Sequence, residues 1–243
     1  MDSVRRGVGI ALLAQAGAIL ALVITASVDL VGAAAGAIYG LLCDVLILRG
    51  LSDAGFGRVG VANAITWARC AVVGAVVALV VGPSAPRATV ALVVAATVAL
   101  LLDAVDGRVA RATGTTSAFG SRFDMEVDAS LVLALSVAAV PRVGPWILLI
   151  GAARYLLLVA TPLVPRLAAP TPPRLWRKAV AALQGVVLTV VCAGVLPPPL
   201  EEGIAAAAGT ALAWSFGTQV RRLLGAQRPA PSAVREPVDA RRG

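Results

Sequence analysis

The sequence contains no histidine among its 243 residues. That absence removes imidazole bases, Ser-His-Asp triads and the usual zinc sites from consideration. Acid–base or hard-metal chemistry must therefore rest on carboxylates. Charge is also sparse, at 14% of residues, and aromatic side chains supply only 4%. Soluble domains carry about 25% charged residues. Lysine is nearly missing too: Lys178 stands alone among 21 basic residues, an arginine excess that a GC-rich coding bias explains. Cysteine is confined to Cys43, Cys70 and Cys192, each isolated in an apolar segment without ligand spacing, which predicts buried packing.

What fills the chain instead is hydrocarbon: 59% of residues are hydrophobic and the mean hydropathy is +0.89. Apolar segments cover roughly 7–28, 30–48, 64–82, 88–105, 127–140, 144–164, 179–196 and 203–220. Most approach the ~20 residues that cross ~30 Å of hydrocarbon as a helix. Runs of Ala, Val, Leu and Gly without period-two alternation select helices over a barrel, and small residues favour close helix approach in a bilayer. The fifth segment is short, so its helix is expected to begin near Gly120, with polar first turns at the aqueous boundary.

The connecting segments carry an independent signal. With Arg5 and Arg6 placed inside, Arg49, Arg58, Arg108, Arg111, Arg122, Arg166, Arg174, Arg177, Lys178 and the tail from Arg221 fall on the same side. Arg87 and Arg142 fall on the other side with Asp29, Glu201 and Glu202, and Arg154 lies within a span. This asymmetry is what the positive-inside rule expects. It predicts a multi-pass cell-membrane protein of eight spans with both termini cytoplasmic, and it reads the net charge of +8 as topology, not nucleic-acid binding. Residues 7–28 are too long for a signal peptide and a second span follows at once. Beyond about Gln227 the Pro- and Arg-rich tail reads as disordered. Residues 49–62 read as a Gly-broken connector, either in the interfacial plane or as a plain loop.

The chemistry-bearing stretch runs Asp103-Ala-Val-Asp106-Gly107-Arg108-Val-Ala110-Arg111, then eight residues, then Gly120-Ser-Arg122-Phe-Asp124-Met-Glu126-Val-Asp128. At about 100° per residue, Asp103, Asp106, Gly107, Ala110 and Arg111 share one helix face, and Asp124 and Asp128 share a face of the next. A short connector predicts an antiparallel pair whose four carboxylates converge near the cytoplasmic boundary. Clustered acids repel one another at low dielectric, and at membrane depth they are expensive and usually functional. A divalent cation relieves the repulsion, and oxygen ligands suit Mg²⁺ or Mn²⁺. Gly107 and Ala110 leave a groove on the same face, where Arg111 can contact a phosphate.

This pattern, DxxDGxxAR-x8-GxxxDxxxD, resembles the CDP-alcohol phosphatidyltransferase family without a gap, with all eight defining positions filled. Asn63, Thr66 and Arg69 resemble the family's NxxTxxR element, and Lys178 with Gln184 its K-x5-Q element. A helix N-cap for Asn63, a packed Thr66 and positive-inside anchors for Arg69 and Lys178 are the plain alternatives. The resemblance covers about residues 60–222. It implies an all-α integral membrane fold: a six-helix core, preceded by a two-helix extension with connector over 1–59 and followed by a basic tail over 223–243.

The resemblance also implies roles. Asp103, Asp106 and Asp124 would ligate Mg²⁺ or Mn²⁺, with Asp128 completing the cluster and serving as the base. Asn63, Thr66, Arg69, Gly107, Ala110, Arg111 and Gly120 would form the CDP side, and Arg154 with Lys178 the acceptor side. The implied partners are a CDP-linked lipid such as CDP-diacylglycerol, an alcohol acceptor and membrane lipids, with a homodimer as the candidate assembly. The implied reaction releases CMP. A phosphorylated polyol, glycerol 3-phosphate or an inositol phosphate, is the expected acceptor, with phosphatidylglycerol (as in cardiolipin synthesis) as the alternative. A secondary transporter also buries carboxylates but is expected to show paired broken helices in two repeats, and no internal repeat is found. A membrane scaffold would not need convergent acids. Asp44 is expected to snorkel toward the cytoplasmic end of its span. Arg122 and Glu126 are unusual within the motif and bear on acceptor identity.

Overall fold

The computed structural model describes residues 2–26, 28–53, 61–82, 86–112, 118–164 and 175–225. These contain eight α-helices, one 3-10 turn and no strand: α1 Asp2–Ala26, α2 Leu30–Asp53, α3 Val61–Val81, α4 Pro86–Ala112, α5 Ala118–Val143, the turn Pro145–Ile147, α6 Leu148–Leu163, α7 Leu175–Ala193 and α8 Pro198–Gly225. The all-helical fold expected from the apolar runs is the fold found. Helix ends follow local chemistry. Pro86 and Pro198 open α4 and α8, where a missing N–H costs nothing. Glu201 lies in the first turn of α8, where the helix dipole favours an acid.

The helices overrun the apolar segments. α5 starts at Ala118, two residues before the expected Gly120, and carries its polar residues in its first turns. The sixth segment, read as one run from 144, instead breaks at Gly144, whose φ of 88° suits glycine. Pro145 then opens a 3-10 turn before α6. α2 continues into the first part of the expected connector, to Asp53; residues 54–60 and the tail beyond 225 lie outside the described residues.

Four stretches are long and apolar enough to cross a bilayer unaided: Leu30–Arg49, Pro86–Val105, Pro145–Leu163 and Trp176–Ala193. Leu12–Thr25 and Ile65–Val81 are shorter apolar stretches. α5 falls outside this set because Arg122, Asp124, Glu126 and Asp128 interrupt the hydrocarbon, and α8 because Gly, Thr, Ser and Gln residues dilute the uncharged run between Glu202 and Arg221. Large apolar side chains nevertheless cover the outer surface, with Leu30 at 85% and Leu163 at 79% exposure. A bilayer, not water, is the natural solvent for such a face.

α3 sits at the centre and packs against α1, α2, α4 and α5. Its Val73, Val76 and Ala78 are fully buried. α7 forms a second spine that touches α4, α5 and α8. Among the described residues α4 and α5 are not a principal packed pair. The expected direct seam between them is replaced by α3 and α7 lying against both. Small residues allow the tightest crossings: a Cβ on Gly36 would stand 2.6 Å from the Gly74 carbonyl oxygen, and one on Gly151 2.7 Å from Leu133 Cα. Backbones this close need glycine.

The N-terminal helices are tied into this framework. Gln15 of α1 donates to the Ala37 carbonyl at 3.2 Å, and the Tyr39 hydroxyl meets Ser130 of α5 at 2.6 Å. At the opposite end, Arg142 of α5 clasps Glu201 of α8 through Nε–Oε2 at 2.9 Å and Nη2–Oε1 at 2.8 Å.

Candidate active site

The up-down course of α3, α4 and α5 brings the start of α3, the end of α4 and the start of α5 to one end of the bundle. Three of the motif acids meet there. One carboxylate oxygen from each of Asp103, Asp124 and Asp128 lies within 4.8 Å of the others. Asp124 and Asp128 are one turn apart on α5, as their spacing predicts, and Asp103 reaches them from α4. Between these acids lies Arg69 of α3, only 1% exposed. Its Nη1 stands 3.0 Å from Asp103 Oδ1 and donates to Asp124 Oδ1, while Nη2 donates to Asp128 Oδ1. The acids themselves are 36%, 41% and 44% exposed. The guanidinium is thus a sealed floor and the carboxylates a half-open rim.

These residues fit a divalent cation. An ion bonded at about 2.0–2.1 Å to hard oxygens gathers them about 3–4 Å apart, so the observed spacing requires only a small closure. Three acids and one arginine leave a formal charge of −2, which one such ion balances. Asp106, Gly107, Ala110 and Arg111 lie in the last turns of α4, and Asn63 in the first turn of α3; their side chains lie outside those described. Thr66 is half-buried, one turn before Arg69, and Gly120 is exposed at the start of α5.

Arg154 and Lys178, expected on the acceptor side, lie on α6 and α7. Glu126 lies two residues from both Asp124 and Asp128, about 200° round the helix, and faces α6. There Arg154 Nη2 donates to Glu126 Oε1 at 2.5 Å, the side chains being 32% and 40% exposed. Glu126, unusual within the motif, therefore has a partner that the linear sequence did not reveal. Lys178 is exposed near the start of α7, whereas Gln184 is buried and donates to the Ala208 carbonyl of α8 at 3.0 Å.

Asp44 departs from expectation. It does not snorkel; it is 5% exposed and lies against Trp67 of α3, with its Oδ2 unpaired. Close packing of α2 on α3 seals it where an isolated helix would leave the carboxylate free to reach the interface. The cysteines are buried and unbridged, as expected, but Cys43 and Cys70 meet across the same α2–α3 contact.

Residues 59–219 match the family model described as CDP-alcohol phosphatidyltransferase. No curated protein and no solved structure matches the chain. The matched segment holds Arg69 and every motif acid, begins just before α3, and leaves α1 and α2 outside. It spans more than half of the 243 residues, so the chain belongs to the CDP-alcohol phosphatidyltransferase family, membrane transferases of phospholipid synthesis that move a substituted phosphate from a CDP-alcohol to an alcohol acceptor.

Proposed function

We propose that the chain moves the phosphatidyl group of a CDP-linked lipid, such as CDP-diacylglycerol, to the hydroxyl of a phosphorylated polyol, releasing CMP. The convergence of Asp103, Asp124 and Asp128 carries this reading. With Asp106, the fourth motif acid, they would hold Mg²⁺ or Mn²⁺. When bound, that ion supplies charge neutralisation for the diphosphate and its leaving group.

The remaining work falls to side chains. Asp128 takes the proton of the acceptor hydroxyl. It is the most open of the three described acids, which suits a group that must meet a second substrate. The hydroxyl oxygen then bonds to the lipid-side phosphorus as the bond to the CMP oxygen breaks, and CMP leaves with that electron pair. Asn63, Thr66, Gly107, Ala110, Arg111 and Gly120 form the CDP side, where the small residues let the nucleotide approach the backbone. The motif groups Arg69 with them, but its guanidinium contacts Asp103, Asp124 and Asp128.

Arg154 and Lys178 form the acceptor side. Arg154 already holds one anion, the Glu126 carboxylate, and an acceptor phosphate offers the same chemistry. That supports glycerol 3-phosphate or an inositol phosphate as the acceptor. The basic asymmetry of the connecting segments supports eight spans with this site on the cytoplasmic face. Incubating the purified chain with CDP-diacylglycerol and each acceptor in turn tests the assignment. Lipid product should form with a phosphorylated polyol, and Arg154→Gln should raise the KM for that acceptor. Turnover with phosphatidylglycerol alone, or with an unphosphorylated alcohol alone, would refute the acceptor class.

A further inference from the structure

The family motif groups Arg69 with the residues on the CDP side, where its charge would meet a phosphate. Its surroundings argue otherwise. The side chain is 1% exposed, the largest of the fully buried ones, and both terminal nitrogens are engaged by carboxylates. A guanidinium sealed beneath three acids has no open face to offer a nucleotide. Its fork geometry instead suits several carboxylate oxygens at once. Asp103 comes from α4 and Asp124 and Asp128 from α5, two helices that meet mainly across α3. Arg69 projects from α3 and is the side chain that reaches all three.

We infer that Arg69 is a positioning residue of the cation site: it gathers three aspartates from below, one oxygen each, and leaves their exposed side to the metal. The inference rests on the reading that these acids hold a divalent ion. Charge alone predicts the opposite effect, since a cation beside the site repels a second cation. Two influences therefore compete. Removing Arg69 deletes one positive charge, which strengthens metal binding, but it also releases three mutually repelling carboxylates on two helices, which weakens it. Because the guanidinium is buried and touches all three described acids, the second effect dominates. Outer partners that orient metal ligands typically account for about 10–100-fold in metal affinity.

The test is Mn²⁺ affinity, read by electron paramagnetic resonance on the full chain in lipid nanodiscs with no nucleotide present. Arg69→Gln should weaken Mn²⁺ binding by about 10–100-fold. Arg69→Lys should lie between it and the wild type, because a single ammonium cannot fork among three carboxylates. The lysine variant also keeps the inference testable if Arg69→Gln fails to fold. Unchanged or tighter Mn²⁺ binding in a folded variant, with only the affinity for the CDP-linked donor reduced, would overturn the inference and return Arg69 to the nucleotide side. Absence of Mn²⁺ binding by the wild type, or binding indifferent to Asp103→Asn and Asp124→Asn, would overturn the underlying metal reading as well.

Discussion

Tyr39 of α2 and Ser130 of α5 are joined by a hydrogen bond of 2.6 Å. Ser130 Oγ also lies 2.8 Å from the Val127 carbonyl, to which it donates, so the tyrosine is the donor to the serine. This bond fastens the N-terminal pair of helices to the helix that carries Asp124 and Asp128, although α2 lies outside the segment that matches the family. Tyr39→Phe should therefore cost about 1 kcal/mol, seen as a fall of about 2–4 °C in apparent melting temperature for a chain of this size. Combining it with Ser130→Ala should add less than the sum of the two single effects. Full additivity would show that the contact carries no coupling.

The Arg142–Glu201 clasp predicts an asymmetry. Glu201 is 1% exposed and Arg142 36%. Losing the arginine strands a buried carboxylate, whereas losing the acid leaves a guanidinium that can reach water. Breaking a fully buried pair costs about 3–5 kcal/mol, and partial exposure places this pair at or below the lower end. Arg142→Ala should melt below Glu201→Ala in thermal unfolding. The reverse order would mean that the pair is effectively a surface bridge.

The helices and the helix faces that carry the motif acids are legible in the sequence for a plain reason. Hydrocarbon runs and a period near 3.6 are local, and both survive any arrangement of the helices. What depends on which helix touches which is not legible. Asp44 reads as a snorkelling acid because nothing nearby in the chain announces that Trp67 will seal it. Arg69 reads as a nucleotide ligand or an interfacial anchor because its three partners lie on other helices. Glu126 reads as an oddity until α6 brings Arg154 to it. Gly144 followed by Pro145 was the local sign of the break before α6, and the continuous apolar run around them masked it.

Orientation can be read on α8 alone. Glu202 and Arg221 lie 19 residues apart near opposite ends of it, about 28 Å at 1.5 Å per residue. In a background lacking Cys43, Cys70 and Cys192, a cysteine at Glu202 should react with an impermeant maleimide in intact cells. One at Arg221 should react only after the membrane is opened. The opposite pattern would invert the whole topology.

Asp128 as the base makes a kinetic prediction. Asp128→Asn should lower kcat by about 10²–10⁴ while the remaining acids keep the metal and the CDP-linked donor bound. If Asp128 acts mainly as a ligand, the loss should appear in metal affinity, and raising Mg²⁺ should recover most of the rate. A metal titration of the variant separates the two. A low plateau with intact donor binding supports the base, and recovery to near wild-type rate excludes it.

The most direct measurement of the account as a whole is CMP release by the purified chain supplied with CDP-diacylglycerol and a phosphorylated polyol. Release should require Mg²⁺ or Mn²⁺, stop in excess chelator, resume when the ion is restored, and fall by about 10²–10³ or more in Asp103→Asn and Asp124→Asn. A full rate in chelator with no metal retained by the protein, or an undiminished rate in both variants, would contradict it.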